Sequence, residues 1–113
     1  MKIAVRTQGF ERSAAIDAFT REHVKVTMNR FAYMIRTVDV FMKDVNGPKG
    51  GVDKQVLLRI KMRNGQQLAL QTVKSDLYAA ISISAKRAKR VVRRNIRKSR
   101  RVEKTALRSL ASA

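Results

Sequence analysis

The period of apolar and polar positions changes along the chain, and each change marks a predicted element. Residues 2–8 alternate, with Ile3, Val5 and Thr7 opposing Lys2, Ala4 and Arg6 until Gly9 interrupts, which predicts a short first strand. From Ser13, a candidate N-cap, to about Tyr33 the spacing turns helical. Ile16, Phe19, Val24, Met28 and Phe31 recur at threes, fours and fives, while Arg21, Lys25 and Asn29 lie outward. Residues 36–45 return to period two, with Val38, Val40 and Met42 opposing Asp39, Phe41 and Lys43. The run stops at Asn46-Gly-Pro-Lys-Gly-Gly51, whose glycines and proline predict a flexible loop. Val56, Leu58, Ile60 and Met62 then alternate with Gln55, Leu57, Arg59 and Lys61. Asn64-Gly65 predicts a type I′ hairpin turn, and Leu68, Leu70 and Thr72 carry the alternation into a fourth strand. Ser75 or Asp76 caps a last helix.

The order β-α-β-β-β-α predicts an α+β fold. The opening β-α-β unit implies a right-handed crossover joining parallel strands one and two, and the later strands add as an antiparallel meander. A four-stranded mixed sheet with one apolar face leaves one place for both helices. They are expected side by side on that face, with the outward edge of the first helix beside the polar side of the second.

The last helix changes the picture most. At about 100° per residue, Leu77, Ile81, Ala85, Ala88, Val92 and Ile96 share one side. Lys86, Arg90, Arg93, Arg94, Arg97 and Arg101 point the opposite way. Eleven Lys and Arg residues fall between Lys86 and Lys104, with Glu103 the only acid among them. Like charges at i,i+3 and i,i+4 each weaken a helix by about 0.2–0.5 kcal/mol. Solvated helix faces ordinarily mix signs, so this one is read as a face for a polyanion. Past Ser99, Val102, Ala106 and Leu110 keep a helical spacing while Ser and Ala accumulate. The chain is therefore divided into a domain over residues 1–98 and a basic tail over 99–113, either a frayed helical extension or disordered until bound.

Composition narrows the function classes. The 113 residues suit one domain. The net charge of +18 is divided unequally, with 14 basic and 7 acidic residues up to Ala85 and 12 basic against 1 acidic thereafter. The absence of cysteine excludes a disulfide scaffold, a thiolate metal site and a cysteine nucleophile. Met1-Lys-Ile-Ala-Val-Arg lacks the apolar core of a secretory signal, and no apolar run approaches the ~18 residues of a membrane span. A soluble intracellular protein without a membrane partner is expected.

Other constellations are weak. His23 is the sole histidine and sits near the apolar stripe of the first helix, where a boundary packing role fits it better than a ligand or base. The carboxylates are scattered singly and read as surface charge balance: Asp17 and Glu22 on a helix, Asp39 and Asp44 in a strand, Asp53 in a loop. Gly47-Pro-Lys-Gly-Gly51 lacks the Gly-Lys-Ser/Thr ending of a phosphate loop and leads into no helix. Phe41 and Leu57 fall on the outer sheet face, but one aromatic is too few for a recognition sheet of the stacking type. No catalytic residue, cofactor, metal or small-molecule substrate is implied.

Ser75-Asp76-Leu77-Tyr78-Ala79-Ala80-Ile81, entering a basic helix directly after the fourth strand, closely resembles the Asp-Met-Tyr-Ala-Ala-Ile signature of the ribosome hibernation promoting factor family. That family is also called ribosome-associated inhibitor or ribosomal subunit interface proteins. The resemblance covers about residues 1–98, and Arg87, Arg90 and Arg94 match the family's spaced basic positions. It departs at Ser82, where an acid is common, and at Ser84 and Ala88, where larger apolar residues are usual. It implies a small bacterial, cytoplasmic protein that binds the small ribosomal subunit in the channel used by mRNA and tRNA. Such a protein silences ribosomes in stationary phase or stress. Long forms of the family carry a further dimerising domain; this chain resembles the short forms, and a monomer is expected away from the ribosome.

The reading is a non-enzymatic inhibitor whose two helices present one cationic surface to ribosomal RNA. Lys86, Arg87, Lys89, Arg90, Arg93, Arg94, Arg97 and Lys98 are the main candidates, with Arg21, Lys25 and Arg30 secondary. Arg30 is the weakest, because its helical angle falls near the apolar side. Their role is phosphate neutralisation and shape matching. The alternative is a general basic RNA- or DNA-binding module acting in RNA folding or nucleoid packaging.

Overall fold

Strands form where the alternation predicts them. The computed structural model describes residues 1–9, 11, 13–45 and 53–112. β1 (Lys2–Gln8), α1 (Ala14–Met28), a 3-10 helix (Asn29–Met34), β2 (Ile35–Asp44), β3 (Lys54–Met62), β4 (Gln67–Lys74) and α2 (Leu77–Ser112) follow in that order. The sheet order is β1-β2-β3-β4; β1 and β2 run parallel, and the other pairs are antiparallel. This is the expected α+β arrangement. The predicted loop at 46–51, with its phosphate-loop look-alike, lies outside the described residues.

One face of the sheet holds the core. Val5, Val38, Val40, Met42, Val56, Leu58, Ile60, Met62, Leu70 and Thr72 are buried there, while none of the alternate residues on the other face is. Both helices cover the buried face, α1 over β1 and α2 over β3 and β4, and their Cα atoms approach within 8 Å of each other. Leu77, Ile81, Ala85, Ala88, Val92 and Ile96 of α2 are buried as the periodicity requires. Burying one Leu, Ile or Val is worth about 1.5–3 kcal/mol. A few such residues outweigh the like-charge repulsions on the opposite side, so the cationic helix holds without an external anion.

Local chemistry sets the boundaries. The Ser13 hydroxyl accepts the Ile16 N–H at 3.0 Å and starts α1. Within α1 the buried Thr20 donates to the Ile16 carbonyl at 2.7 Å. Asp76, rather than Ser75, starts α2: its carboxylate accepts the Tyr78 N–H at 3.2 Å and its carbonyl the Ala80 N–H at 3.0 Å. Gly9 has φ +88°, and a Cβ there would stand 2.7 Å from the Asp44 carbonyl oxygen, so the exit of β1 demands glycine.

Three expectations are corrected. α1 stops at Met28 instead of Tyr33; the chain tightens into the 3-10 helix, which keeps Phe31 buried and lets the Met34 carbonyl accept the Arg63 N–H at 2.9 Å. The hairpin turn is not type I′. Only Gly65 has positive φ (+91°); the Gly65 N–H donates to the Met62 carbonyl, and the Met62 N–H to the Gln66 carbonyl. That is a three-residue loop with glycine in the left-handed bulge position, and Asn64 instead accepts the Gln66 N–H at 2.9 Å. Asp53 is not surface charge: it is 1% exposed, and Lys54 bridges it at 3.2 Å and Asp44 at 2.9 Å. The hydrogen bond to Asp44 is the main cause that raises the Lys54 pKa above its ordinary value, against the opposing effect of burial.

Candidate nucleic-acid interface

α2 is one helix of 36 residues, about 54 Å long at 1.5 Å per residue. Its sides differ sharply. Lys86, Arg87, Arg90, Arg93, Arg94, Arg97 and Lys98 are exposed, and Lys89 is half-buried. Among the described residues, none of Lys86, Lys89, Arg90, Arg93, Arg94, Arg97, Lys98 and Arg101 has an ion-pair partner. Six of them, Arg90, Arg93, Arg94, Arg97, Lys98 and Arg101, line one shallow depression of about 500 Å³. Arg101 joins the candidates on this placement; its helical angle was the signal that could have put it there. Unpaired guanidiniums at i,i+3 and i,i+4 hold a row of fork-shaped donors suited to phosphate oxygens.

Arg87 is partly committed elsewhere. Its Nη1 donates to the Gln71 carbonyl at 2.6 Å and to the Thr72 hydroxyl at 2.9 Å, latching α2 to edge strand β4. Nε and Nη2 remain for an anion. Arg21 is used similarly at the opposite edge: Nη1 donates to the Ile3 carbonyl of β1 at 2.6 Å, and Nε pairs with Asp17 at 2.7 Å. Each edge strand of the sheet thus receives a guanidinium from the helix above it, which satisfies a strand carbonyl that has no further strand to bond.

That placement separates the secondary candidates from the main ones. β1 is the strand farthest from β4, and α2 covers β3 and β4, so Arg21 faces away from α2. Lys25 lines the same flank with Arg21, Glu22, Met1 and Ile3. Arg30 lies beyond α1 on the 3-10 helix, exposed, with its guanidinium carbon 5.9 Å from the Phe31 ring centre. The helical angle assigned to it does not apply, because α1 has already ended. The expected single cationic surface therefore divides into a dense row on α2 and a sparser flank on α1.

Between the helices the contact is aromatic. Phe19 stacks on His23 at 4.0 Å between ring centres and meets Tyr78 edge-on at 4.7 Å. His23 is half-buried, with Nδ1 3.3 Å from the Phe19 carbonyl oxygen, a packing role at the boundary. The small residues Ala80, Ser84 and Ala88 on α2 are buried, so their size does not keep the helix off the layer below.

Beyond Ser99 the helix continues with every described side chain exposed, including Val102 at 62%, Leu107 at 66% and Leu110 at 74%. Among the described residues no group of His, Asp and Glu is placed to hold a metal ion, and no helix is long and apolar enough to cross a membrane.

A family model described as sigma 54 modulation protein / S30EA ribosomal protein matches residues 3–100. No curated protein sequence matches the chain. Among solved structures, it is similar to a ribosomal subunit interface protein from Coxiella burnetii, with TM-score 0.69 and 17% identity over 84% of this chain and 97% of that one. It is also similar to the N-terminal domain of Protein Y from Thermus thermophilus, with TM-score 0.67 and 18% identity over 83% of this chain and 98% of that one. At these identities the two structures speak for the fold.

Proposed function

Because the chain belongs to the sigma 54 modulation protein / S30EA ribosomal protein family, we propose that it is a ribosome-associated, non-enzymatic hibernation factor of the bacterial cytoplasm. In this reading it occupies the mRNA and tRNA channel of the small subunit and blocks translation in stationary phase or stress. The observation that carries the reading is the row of cations on α2 from Lys86 to Arg101, with no acid between them and no ion-pair partner among the described residues. Such a row makes contacts that neutralise phosphates and follow the shape of folded RNA without reading its bases. Arg90, Arg93, Arg94 and Arg97 are the central contacts, Lys86, Lys89 and Lys98 flank them, and Arg87 both anchors the helix and offers its free nitrogens. Lys25, Arg21 and Arg30 serve as a secondary flank.

Co-sedimentation with purified small subunits tests this directly. With about six phosphates neutralised, affinity should fall roughly three orders of magnitude between about 50 and about 200 mM salt. Reversing Arg90 and Arg94 to Glu should remove binding and translation inhibition without lowering the thermal midpoint, since both side chains are exposed and the change relieves like-charge repulsion along α2. Salt-independent binding, or full inhibition by the double mutant, would sink the assignment.

A further inference from the structure

The face of the sheet turned away from the helices carries a second constellation. Register places Arg6, Phe41, Leu57 and Gln71 in one cross-strand row, and Ala4, Asp39, Arg59 and Ala69 in the next. The two alanines leave room beside the larger residues of the first row. A depression of about 340 Å³ opens there, lined by Ala4, Arg6, Asp39, Phe41, Leu57 and Arg59 over the Val40 backbone. A second depression of about 260 Å³ shares Asp39 and Arg59 and extends past Lys61 to Ala69.

Its chemistry is specific. Phe41 and Leu57 are half-buried side by side, the two largest apolar residues on a face that otherwise carries polar side chains with Ala4, Ala69 and Val73. Arg6 and Arg59 are exposed, and among the described residues neither has an ion-pair or hydrogen-bond partner. Lys2, Lys43 and Lys61 stand on the same face, where Asp39 is the one carboxylate on the described strands. Two guanidiniums lining the hollow with one aromatic ring, with Lys43 one row and Lys2 and Lys61 two rows farther along the strands, call for a ligand that is anionic at its edges and planar and apolar at its centre. A solvated sheet face needs neither the ring nor the hollow beside it.

We propose that this face binds a single-stranded RNA segment, one unpaired base stacking on Phe41 against Leu57 while the flanking phosphates meet Arg6 and Arg59. One ring accommodates one base, so the site is a stacking point rather than a sequence-reading sheet, and the volume of the hollow suits a single nucleobase. Asp39 lies at the edge of the hollow, where its carboxylate accepts from the amino groups of a base. The α2 row and this face lie on opposite sides of the sheet, so the protein grips folded RNA on one side and an unpaired strand on the other. The site stands on its own residues and does not depend on the ribosome being the partner of α2.

The full-length protein is titrated with fluorescent hexaadenylate and with an abasic hexamer of the same phosphate count, while Phe41 ring and Leu57 methyl resonances are followed by NMR. Both oligonucleotides engage the cations, but only hexaadenylate should shift Phe41 and Leu57. Phe41→Leu, which keeps an apolar residue on a solvent-facing position, should weaken hexaadenylate about tenfold, leave the abasic hexamer unchanged, and be rescued by Phe41→Tyr. Shifts confined to α2, or equal affinity of Phe41→Leu and wild type for hexaadenylate, would overturn the site. Adenosine monophosphate binding as tightly as hexaadenylate would overturn the strand reading in favour of a free nucleotide.

Discussion

The two halves of α2 have the same kind of sequence and different surroundings. Leu77 to Ile96 lies over the sheet with its apolar stripe buried, whereas Arg100 to Ala111 continues the same helix with every side chain in solvent. Basic residues run along both halves, as Arg90, Arg94 and Arg97 in the first and Arg101 and Lys104 in the second. Amphipathic spacing therefore specifies a helix, but only a surface to cover turns one side of it into stabilisation. In the first half the burial of Ile81, Val92 and Ile96 offsets the charge repulsion. In the second, helix propensity has to hold alone, and short isolated helices are marginal in water.

Substitution at matched positions should expose this contrast most strongly. Val92→Asp places an unpaired carboxylate at a fully buried site, which is expected to cost more than about 4 kcal/mol and to unfold the domain. Leu110→Asp, at a residue 74% exposed, should change global stability by less than about 0.5 kcal/mol. Urea denaturation followed by circular dichroism compares them. Equal destabilisation would mean that Leu110 packs against something in solution.

Charge reversal probes the same contrast in binding. Arg90→Glu with Arg94→Glu should reduce small-subunit affinity at least about a hundredfold, since a rigid helix already holds both guanidiniums. Arg101→Glu with Lys104→Glu should cost nearer tenfold, because ordering the overhanging helix on RNA consumes part of what its contacts gain. Filter binding over a salt series separates them: the slope falls by about one for every phosphate that is no longer neutralised. A larger loss from the second pair would make the overhang the principal grip.

Removing residues 100–113 tests whether 1–98 is a self-sufficient domain with 99–113 as an appended basic tail. Among the described residues none of the core lies beyond Ile96, so the melting temperature should change by less than about 4 °C, corresponding to less than about 1 kcal/mol, while helical signal is lost. RNA affinity should fall modestly. A drop beyond about 8 °C would show that the overhang folds as part of the domain.

What could be read from sequence follows from how local each feature is. Alternation and 3.6-residue spacing are properties of neighbouring residues, and they placed all four strands, the Ser13 cap and the buried stripe of α2. The turn type at Asn64-Gly65 depends on how Met62 and Gln66 bond across it, which the dipeptide alone does not encode. The end of α1 was overrun because Phe31 is buried in a 3-10 helix just as it would be in a longer α-helix. Arg21 and Arg87 were indistinguishable from solvent-facing arginines, since their carbonyl partners on Ile3 and Gln71 are 18 and 16 residues away in sequence. Buried Asp53 was concealed in the same way, by the contact between Lys54 and Asp44 ten residues away. Phe41 was visible on the outer face, but the hollow beside it arises from Ala4 and Asp39 meeting Arg59 through strand pairing.

The finest contrast comes from glycine at two alanines that share a helix, one expected to act globally and the other only locally. Ala88→Gly removes a buried methyl and costs about 1 kcal/mol in helix propensity, so it should lower global stability by about 1–2 kcal/mol. Ala106→Gly carries the same propensity cost on a fully exposed turn. If the overhang frays independently of the domain, that cost falls on local opening alone. Amide exchange in residues 102–110 should then accelerate about fivefold, the equivalent of about 1 kcal/mol, while the thermal midpoint and the exchange of β2 and β3 stay fixed. A midpoint shift as large as that of Ala88→Gly would mean that the overhang melts with the sheet, and that its exposed Val102, Leu107 and Leu110 contribute to one cooperative unit.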